Sequence, residues 1–336
     1  MARLRAVGSW DAVVVIALVA VSIIGALAIE GVGDPRFWRF VTLEAIPIAL
    51  IALPMTLIVI TGEIDLSVAS VLGLTCTVMG QLWVSGVTSL PLLIAISLLL
   101  GAALGAVNGL FITGFGLPSL AVTIGTLALY RGLAYVVLGD RAVANYPPEW
   151  TTAAIKPIPG TTIAWMILVV AALAVLFGLV LHATPIGRGL YAMGNNAEAA
   201  HFAGVKVGLT KFWLFVASGV MSALAGLFWT LRFASARADN GIGLELAVVA
   251  AVLLGGVSIF GGRGALLGVF AAVALLGVMR NGLQLAYVPA NTLTVITGSL
   301  LIASVVGPNV VGVLRERLRS RRRRRRSTAP TVTPTT

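Results

Sequence analysis

The sequence has almost none of the residues from which disulfides and metal sites are built. Cys76 is its single cysteine and lies inside an apolar run, while His182 and His201 stand apart with no HExxH pattern. One thiol excludes a disulfide framework and a thiolate metal site. We therefore interpret Cys76 as a packing residue and expect no metal and no cofactor bound directly by this chain.

Charge is also scarce, and the usual catalytic motifs are missing. Only 10% of the 336 residues are charged, 59% are hydrophobic, and the mean hydropathy is +1.03. Such values lie far outside the range of soluble domains. Neither a GxxxxGK[ST] phosphate loop nor a GxSxG nucleophile motif occurs. The sequence predicts an integral membrane protein that is not an enzyme and takes its energy from elsewhere.

Apolar runs of about 20 residues, the length needed to cross a bilayer, recur along the chain. They predict an all-α polytopic protein with about ten transmembrane helices. The predicted spans are residues 11–29, 41–60, 66–84, 90–113, 117–138, 161–182, 211–231, 244–260, 265–282 and 289–314. Residues 1–314 would form the membrane domain, and the longer apolar run at 11–29 favours a retained first span over a cleaved signal peptide.

The formal net charge of +11 comes in large part from an arginine-rich tail. Residues 315–326 carry the arginines, and residues 327–336 are Ser/Thr/Pro-rich and expected to be disordered. Directly after a span, such a tail is typical of a cytoplasmic anchor on anionic membrane lipid rather than of a nucleic-acid contact. With an even number of spans, both termini would be cytoplasmic.

One long polar segment, residues 184–211, separates two apolar spans on the predicted cytoplasmic side. The pair Asn195 and Glu198 has the form of a helix-capping pair, and Gly204 supplies a stop signal. On the short helix between them, Ala199, Phe202 and Ala203 would share one face. This pattern fits either a docking face or a surface helix that merely joins two spans.

Several ionisable residues lie in or beside the predicted spans, where each charge costs about 2.5 to 3.5 kcal/mol at mid-depth. We expect Glu63, Asp65, Arg232 and Glu245 to reach water from the ends of spans. Glu44 and Arg131 are candidates for the transport pathway or for a structural pair between helices. Arg280 is the remaining ionisable residue in or beside a predicted span.

An internal repeat is visible in two pairs of motifs. The string DLSV at 65–68 resembles ELAV at 245–248, and NGL at 108–110 resembles NGL at 281–283. Members of each pair lie five spans apart and hence on opposite membrane faces, which predicts an inverted repeat of two five-helix halves. Candidate pathway or gating residues are Glu44, Asp65, Asn108, Arg131, Glu245 and Asn281.

Four stretches, at 52–70, 117–136, 184–205 and 243–268, together resemble the membrane permeases of ATP-binding-cassette importers for monosaccharides. That group includes ribose, xylose, rhamnose and autoinducer-2 importers, and the resemblance covers about residues 43–308. It implies that 184–211 contacts an ATPase subunit, through Gly187, Arg188, Gly194, Asn195, Glu198, Ala199, Ala200, Phe202 and Gly204. The chain departs from the family at Glu63, where a second glycine is usual.

The resemblance implies several partners: cytoplasmic ATP-binding subunits, a periplasmic or lipid-anchored sugar-binding protein, and a second permease copy or paralogue. ATP would act through the partner subunits. The strings ALPMT at 52–56 and SARAD at 235–239 favour a rhamnose- or autoinducer-2-like sugar. The alternative from another class is a stand-alone secondary sugar transporter or channel; a membrane-embedded enzyme would lack any recognisable motif.

Overall fold

The computed structural model describes residues 2–289, together with 291–293, 295–296, 298–299 and 302. Helices dominate this part of the chain. They are α1 (Ala2–Ala28), α2 (Pro35–Ile60), α3 (Val68–Val84), α4 (Leu90–Gly114), α5 (Ser119–Leu138), α6 (Pro148–Ile155), α7 (Met166–Ala183), α8 (Pro185–Asn195), α9 (Ala197–Phe202), α10 (Val207–Phe233), α11 (Leu244–Leu254) and α12 (Leu266–Leu285).

Seven of the described helices are long and apolar enough to cross a membrane, namely α1, α2, α4, α5, α7, α10 and α12. Two shorter apolar helices, α3 and α11, accompany them. These nine helices match the first nine predicted spans and confirm an all-α polytopic membrane protein. The tenth predicted span and the basic tail lie almost wholly outside the described residues.

Helix α2 forms the centre of the bundle. Asp34 caps its first turn by accepting a hydrogen bond from the Arg36 amide at 2.7 Å, and Pro35 occupies the first helical position. In the apolar stretch of α2, 83% of the residues are buried, although the helix contains Pro47 and Pro54. Neighbouring helices can satisfy the backbone groups that an internal proline frees, so a membrane bundle tolerates both.

Helices α4 and α10 approach closely through small residues. A side chain at Gly101 would meet the Ala223 Cβ at 2.5 Å, and one at Gly219 would meet the Gly105 amide at 2.9 Å. Small residues let two backbones pack against each other where lipid offers no hydrophobic driving force. This contact joins the middle of the chain to its second half.

The predicted eighth span, 244–260, is only partly helical. Helix α11 ends at Leu254, so its 11 residues cover about 16 Å, roughly half of a hydrocarbon core. A glycine loop follows, in which Gly256, Gly261 and Gly262 have positive φ angles of 89°, 79° and 71°. L-residues rarely adopt that conformation. Residues 261–264 therefore form a glycine turn, and the helix stops before it.

The two sides of the bundle carry different structures. Helices α8 and α9 and the loop 255–265 meet the C-terminal end of α2 on one side, which we call the hairpin face. The opposite face carries α6, which lies between the predicted spans 117–138 and 161–182, and a β-bridge between Val143 and Ala236. Backbone hydrogen bonds of 2.9 and 2.8 Å join Val143 and Ala236 in both directions.

Candidate coupling surface and polar core

The polar segment 184–211 folds into a helical hairpin. Thr184 caps α8 by accepting from the Gly187 amide, and Pro185 starts that helix. Asn196 caps α9 by accepting from the Ala199 amide at 2.9 Å. The prediction that Asn195 is the cap was wrong by one residue. Asn195 still belongs to α8, whereas Asn196 has the extended backbone, φ −163° and ψ 107°, that a cap requires.

The hairpin is fixed to the rest of the bundle by close backbone contacts. Gly194 packs against the carbonyl of Ile60 and the backbone of Gly262, leaving no room for a side chain. The Gly262 amide donates to the Ile60 carbonyl at 2.8 Å. Three segments, the end of α2, the end of α8 and the glycine loop, therefore meet at one point.

Tyr191 adds a side-chain bond to the same junction. Its hydroxyl donates to the carbonyl of Gly264 at 2.8 Å, and burial raises the pKa of the hydroxyl. Asn195 donates to the Tyr191 carbonyl at 2.6 Å and packs against Gly262. A push on α8 would thus be transmitted to α2 and to the glycine loop as one body.

The predicted coupling residues fall into two sets. The first set braces the hairpin and comprises Gly187, Gly194, Asn195, the buried Ala200 and Gly204, whose φ of 87° ends the second helix. The second set is exposed on the hairpin face and comprises Arg188, Glu198, Ala199 and Phe202, the last 82% exposed. Ala203 is exposed as well, so all three residues of the predicted apolar face are exposed.

Glu63, the departure from the family pattern, forms an ion pair with Lys211. Both side chains are mostly buried, with 19% and 16% exposed. Lys211 stands in the first turn of α10, directly after the hairpin, so the pair ties the hairpin to the segment 61–67. Glu63 therefore does not simply reach water as expected, because its carboxylate pairs with Lys211.

Asp65 is buried, with 2% exposure, and does not reach water as expected. One carboxylate oxygen accepts from the Ser67 hydroxyl at 2.6 Å and the Ser67 amide at 3.0 Å. The other oxygen accepts from the Ser218 hydroxyl at 2.7 Å. The Asn108 amide group donates to the Ser67 hydroxyl at 2.8 Å. Three neutral donors, two from Ser67 and one from Ser218 on α10, therefore satisfy this carboxylate, which is the condition for burying one.

The backbone around Asp65 is completed by helix α5. The Ile64 amide donates to the Ser119 hydroxyl at 3.2 Å, and the Thr123 hydroxyl donates to the Ile64 carbonyl at 3.3 Å. We call residues 61–67 the first break segment, because the chain here crosses non-helically between α2 and α3. Its polar backbone groups are satisfied inside the protein, as membrane depth requires.

A second break segment, residues 234–243, precedes α11 and is held by Arg131. The guanidinium of Arg131 donates to the carbonyls of Ala238 and Asn240, the latter at 2.9 Å. It also donates to the carbonyl of Ala69, on α3, at 3.0 Å. Arg131 therefore connects α5, α3 and this segment. The sequence left open a structural role between helices for Arg131, and the structure shows this role with backbone carbonyls, not an acidic side chain, as its partners.

The remaining candidate pathway residues divide between the ends of the bundle. Asn281 donates to the Glu44 carboxylate at 3.0 Å, joining α12 to α2. Arg232 donates to the carbonyl of Leu43 at 2.8 Å. Glu245 is half-buried in the first turn of α11 and lies within electrostatic range of Arg131. Asn108 and Asn281, the two asparagines of the predicted repeat, thus have different partners.

Several functional positions carry no sequence signal strong enough to find them. Ser218, Ser119 and Thr123 are isolated hydroxyls in apolar helices, and their roles appear only once α10 and α5 pack around the first break segment. Arg237 and Asp239 stand in the SARAD string, but their position inside the bundle follows from the fold. Cys76 is buried and donates to the Gly226 carbonyl at 3.3 Å, in agreement with a packing role.

Comparison with known proteins places these features in a family. Residues 39–305 match the family model described as the permease component of the branched-chain amino acid transport system. The autoinducer 2 import system permease protein LsrD of Salmonella paratyphi A is 34% identical over 313 residues, covering 90% of this chain and 92% of that protein.

Other relatives give the same result. LsrD of Escherichia coli O157:H7 is 35% identical over 283 residues, covering 82% of this chain and 85% of the relative. LsrD of Shigella flexneri is 33% identical over 305 residues, covering 88% of this chain and 92% of that protein. No solved structure matches the chain. The match spans the hairpin, both break segments and all the helices between them, and the chain belongs to this family of transport-system permeases.

Proposed function

We propose that the chain is the membrane subunit of an ATP-driven importer that moves a monosaccharide, of the autoinducer-2 or rhamnose type, into the cytoplasm. The observation that carries the proposal is the braced hairpin. It presents Arg188, Glu198 and Phe202 outward while Gly194 locks its base to α2 and the glycine loop. The autoinducer-2 assignment of the relatives supports the choice of solute.

In this proposal the hairpin face lies in the cytoplasm, and both termini lie on that side of a bacterial inner membrane. Two ATPase subunits bind the hairpins of this chain and of a second copy or paralogue. Because α8 and the ends of α2 and α11 share one junction, closure of the ATPases moves these segments together. The sugar-binding protein docks on the opposite face, around α6.

The candidate pathway residues then have different tasks. Asp65 with Asn108, and Glu44 with Asn281, hold helices together beside the path, while Arg131 and Glu245 lie next to the second break segment. Hydrolysis of ATP takes place on the partners and not on this chain.

The coupling role is tested by replacing Glu198 and Phe202 with alanine in the assembled importer. Both side chains are exposed, so the variant should fold, while ATP-driven uptake should fall by about tenfold or more because a charged and an aromatic interface contact are lost. Co-purification of the ATPase and sugar uptake into proteoliposomes are measured together. Leu176, exposed on α7 and outside the segment 184–211, is replaced by alanine as the control.

Two results would contradict the proposal. Unchanged uptake in the double variant would remove the hairpin from the coupling contact. Uptake by the chain alone, driven by a sodium or proton gradient without any ATPase, would favour the stand-alone secondary transporter.

A further inference from the structure

The second break segment carries an ion pair that the fold does not need for its own packing. The Arg237 guanidinium donates two hydrogen bonds to the two carboxylate oxygens of Asp239, each at 2.8 Å. The side chains are 50% and 41% exposed. The neighbouring backbone is held separately by Arg131, so the pair is free to face outward.

The position of this pair along the membrane crossing follows from contacts with α3. A side chain at Gly80 would meet the Ala236 Cβ at 2.8 Å, and one at Gly73 would meet the Asn240 carbonyl at 3.0 Å. Seven helical residues separate the two glycines, or about 10 Å along α3. Arg237 and Asp239 lie between these levels, beside the half of α3 that is farther from the hairpin face.

Charges at this depth restrict what the pair can face. A single charge in hydrocarbon costs about 2.5 to 3.5 kcal/mol, and intramembrane ionisable residues consequently face a water-filled cavity or a protein partner. An irregular segment at membrane depth is tolerated under the same condition. The half-exposed Arg237–Asp239 pair therefore indicates an aqueous cavity on this side of the segment.

One further residue borders the same place. Tyr135, one turn beyond Arg131 on α5, is 39% exposed, and its hydroxyl lies within electrostatic range of Arg237. Together the three residues offer a planar cation, a carboxylate and an aromatic ring with a polar tip. A small number of such convergent groups on a rigid frame is typical of a small-molecule site.

We propose that Arg237, Asp239 and Tyr135 form a subsite that binds a polyhydroxylated, uncharged solute on its way through the membrane. Neighbouring hydroxyls of the solute accept from the guanidinium and donate to the carboxylate. Charge-assisted bonds of this kind are about twice as strong as neutral ones. Because the two charges cancel, the subsite favours a neutral sugar over an anion. The proposal rests on the transport function proposed above.

The first experiment measures whether the subsite meets water. Cys76 is fully buried, so the unaltered chain is a non-reactive background for a charged methanethiosulfonate reagent. Asp239→Cys should react in the assembled importer, and excess autoinducer-2 or L-rhamnose should slow the reaction. Leu176→Cys, 53% exposed on the apolar surface of α7, is the matched control and should not react, because a thiol in hydrocarbon does not ionise.

The second experiment exchanges the two charges. The double variant R237D/D239R can restore the ion pair but reverses donor and acceptor, so uptake of labelled autoinducer-2 and L-rhamnose should fall by about tenfold, the effect of losing one charge-assisted hydrogen bond. Glu30→Gln, an exposed change in the turn between α1 and α2, should transport like the unaltered chain. Monodisperse elution in detergent verifies that each variant is folded.

The outcomes separate the subsite from the transport function. An unreactive Asp239→Cys, or an exchanged pair that transports normally, overturns the subsite even when the unaltered importer works. If the unaltered chain with ATPase and binding protein shows no ATP-driven uptake, the proposed function fails instead. Reaction at Asp239→Cys slowed by sugar, with reduced uptake in the exchanged pair, supports the subsite.

Discussion

The first break segment, 61–67, and the second, 234–243, occupy corresponding places before the short helices α3 and α11, and α5 braces both. Ser119 and Thr123 satisfy the backbone of the first segment, while Arg131 satisfies that of the second. Each segment contains a glycine with positive φ, Gly62 near the start of the first and Gly243 at the end of the second, both at 83°. One helix thus holds two non-helical segments that precede short helices, while the inverted repeat stays a prediction.

The two segments differ in what their charges do. Asp65 is enclosed, and all its bonds are made to neutral donors within the protein. Arg237 and Asp239 are half-exposed and bonded only to each other among the described side chains. A satisfied, enclosed charge stabilises one arrangement, whereas an exposed pair on a fixed backbone remains able to bind a ligand. The first segment therefore stabilises the fold, whereas the second is the one for which we propose solute contact.

The strongest test of this contrast is the replacement of Asp65 by alanine. Three donors lose their acceptor in a buried site, so we expect a loss of about 3 kcal/mol in stability. This loss of stability is measured by thermal unfolding in detergent, with size-exclusion chromatography as the readout. Asp65→Asn keeps the shape of the side chain, so its stability should lie between that of Asp65→Ala and that of the unaltered chain.

Asp239→Ala is the matched control in the second segment and should unfold within about 0.5 kcal/mol of the unaltered chain, as exposed ion pairs contribute little. If both alanine variants unfold at the same temperature, the division between the two segments is wrong.

A smaller loss is expected when Arg131 is replaced by methionine. The carbonyls of Ala69, Ala238 and Asn240 lose their donor, at a cost of about 2 kcal/mol. The second break segment should then loosen, visible as faster proteolysis within 234–243. Arg141→Met, exposed on the opposite face, is the control. Unchanged proteolysis would mean that the turns of this segment hold it without α5.

The smallest effect is expected at the Glu63–Lys211 pair, which ties the first segment to the hairpin. Glu63→Gln keeps a hydrogen bond but removes the charge, and we expect a loss of about 0.5 to 1 kcal/mol. A double-mutant cycle with Lys211→Met measures the coupling between the two side chains. Zero coupling energy would show that the hairpin is braced by Gly194 and Tyr191 without the ion pair.

Much of the fold could be predicted because a bilayer imposes its length on each apolar run. Nine of the predicted spans correspond to described helices for this reason. The break after Ala183 followed from Pro185, and the stop at Gly204 followed from the freedom of glycine at positive φ. The length of α11 could not be predicted, because the apolar pattern continues into the glycine loop although the helix does not.

The candidate site was only partly predictable. The polar segment and its second helix were identified, but α8 was missed and the cap was placed one residue early. Asn195 and Asn196 have the same side chain, and only the backbone of the packed hairpin selects between them. Likewise, Asp65 stands beside a predicted span end, yet its burial depends on Ser218, 153 positions away along the chain.

The sequence by itself determined that this protein lives in a membrane, crosses it many times and carries one polar hairpin, since hydropathy, proline and glycine act locally. The tertiary structure alone decided which charges are enclosed and which are open. Asp65 and Asp239 are the same residue type, and each precedes a short apolar helix. Only the helices packed around each one determine whether its carboxylate finds donors inside the protein or stays exposed.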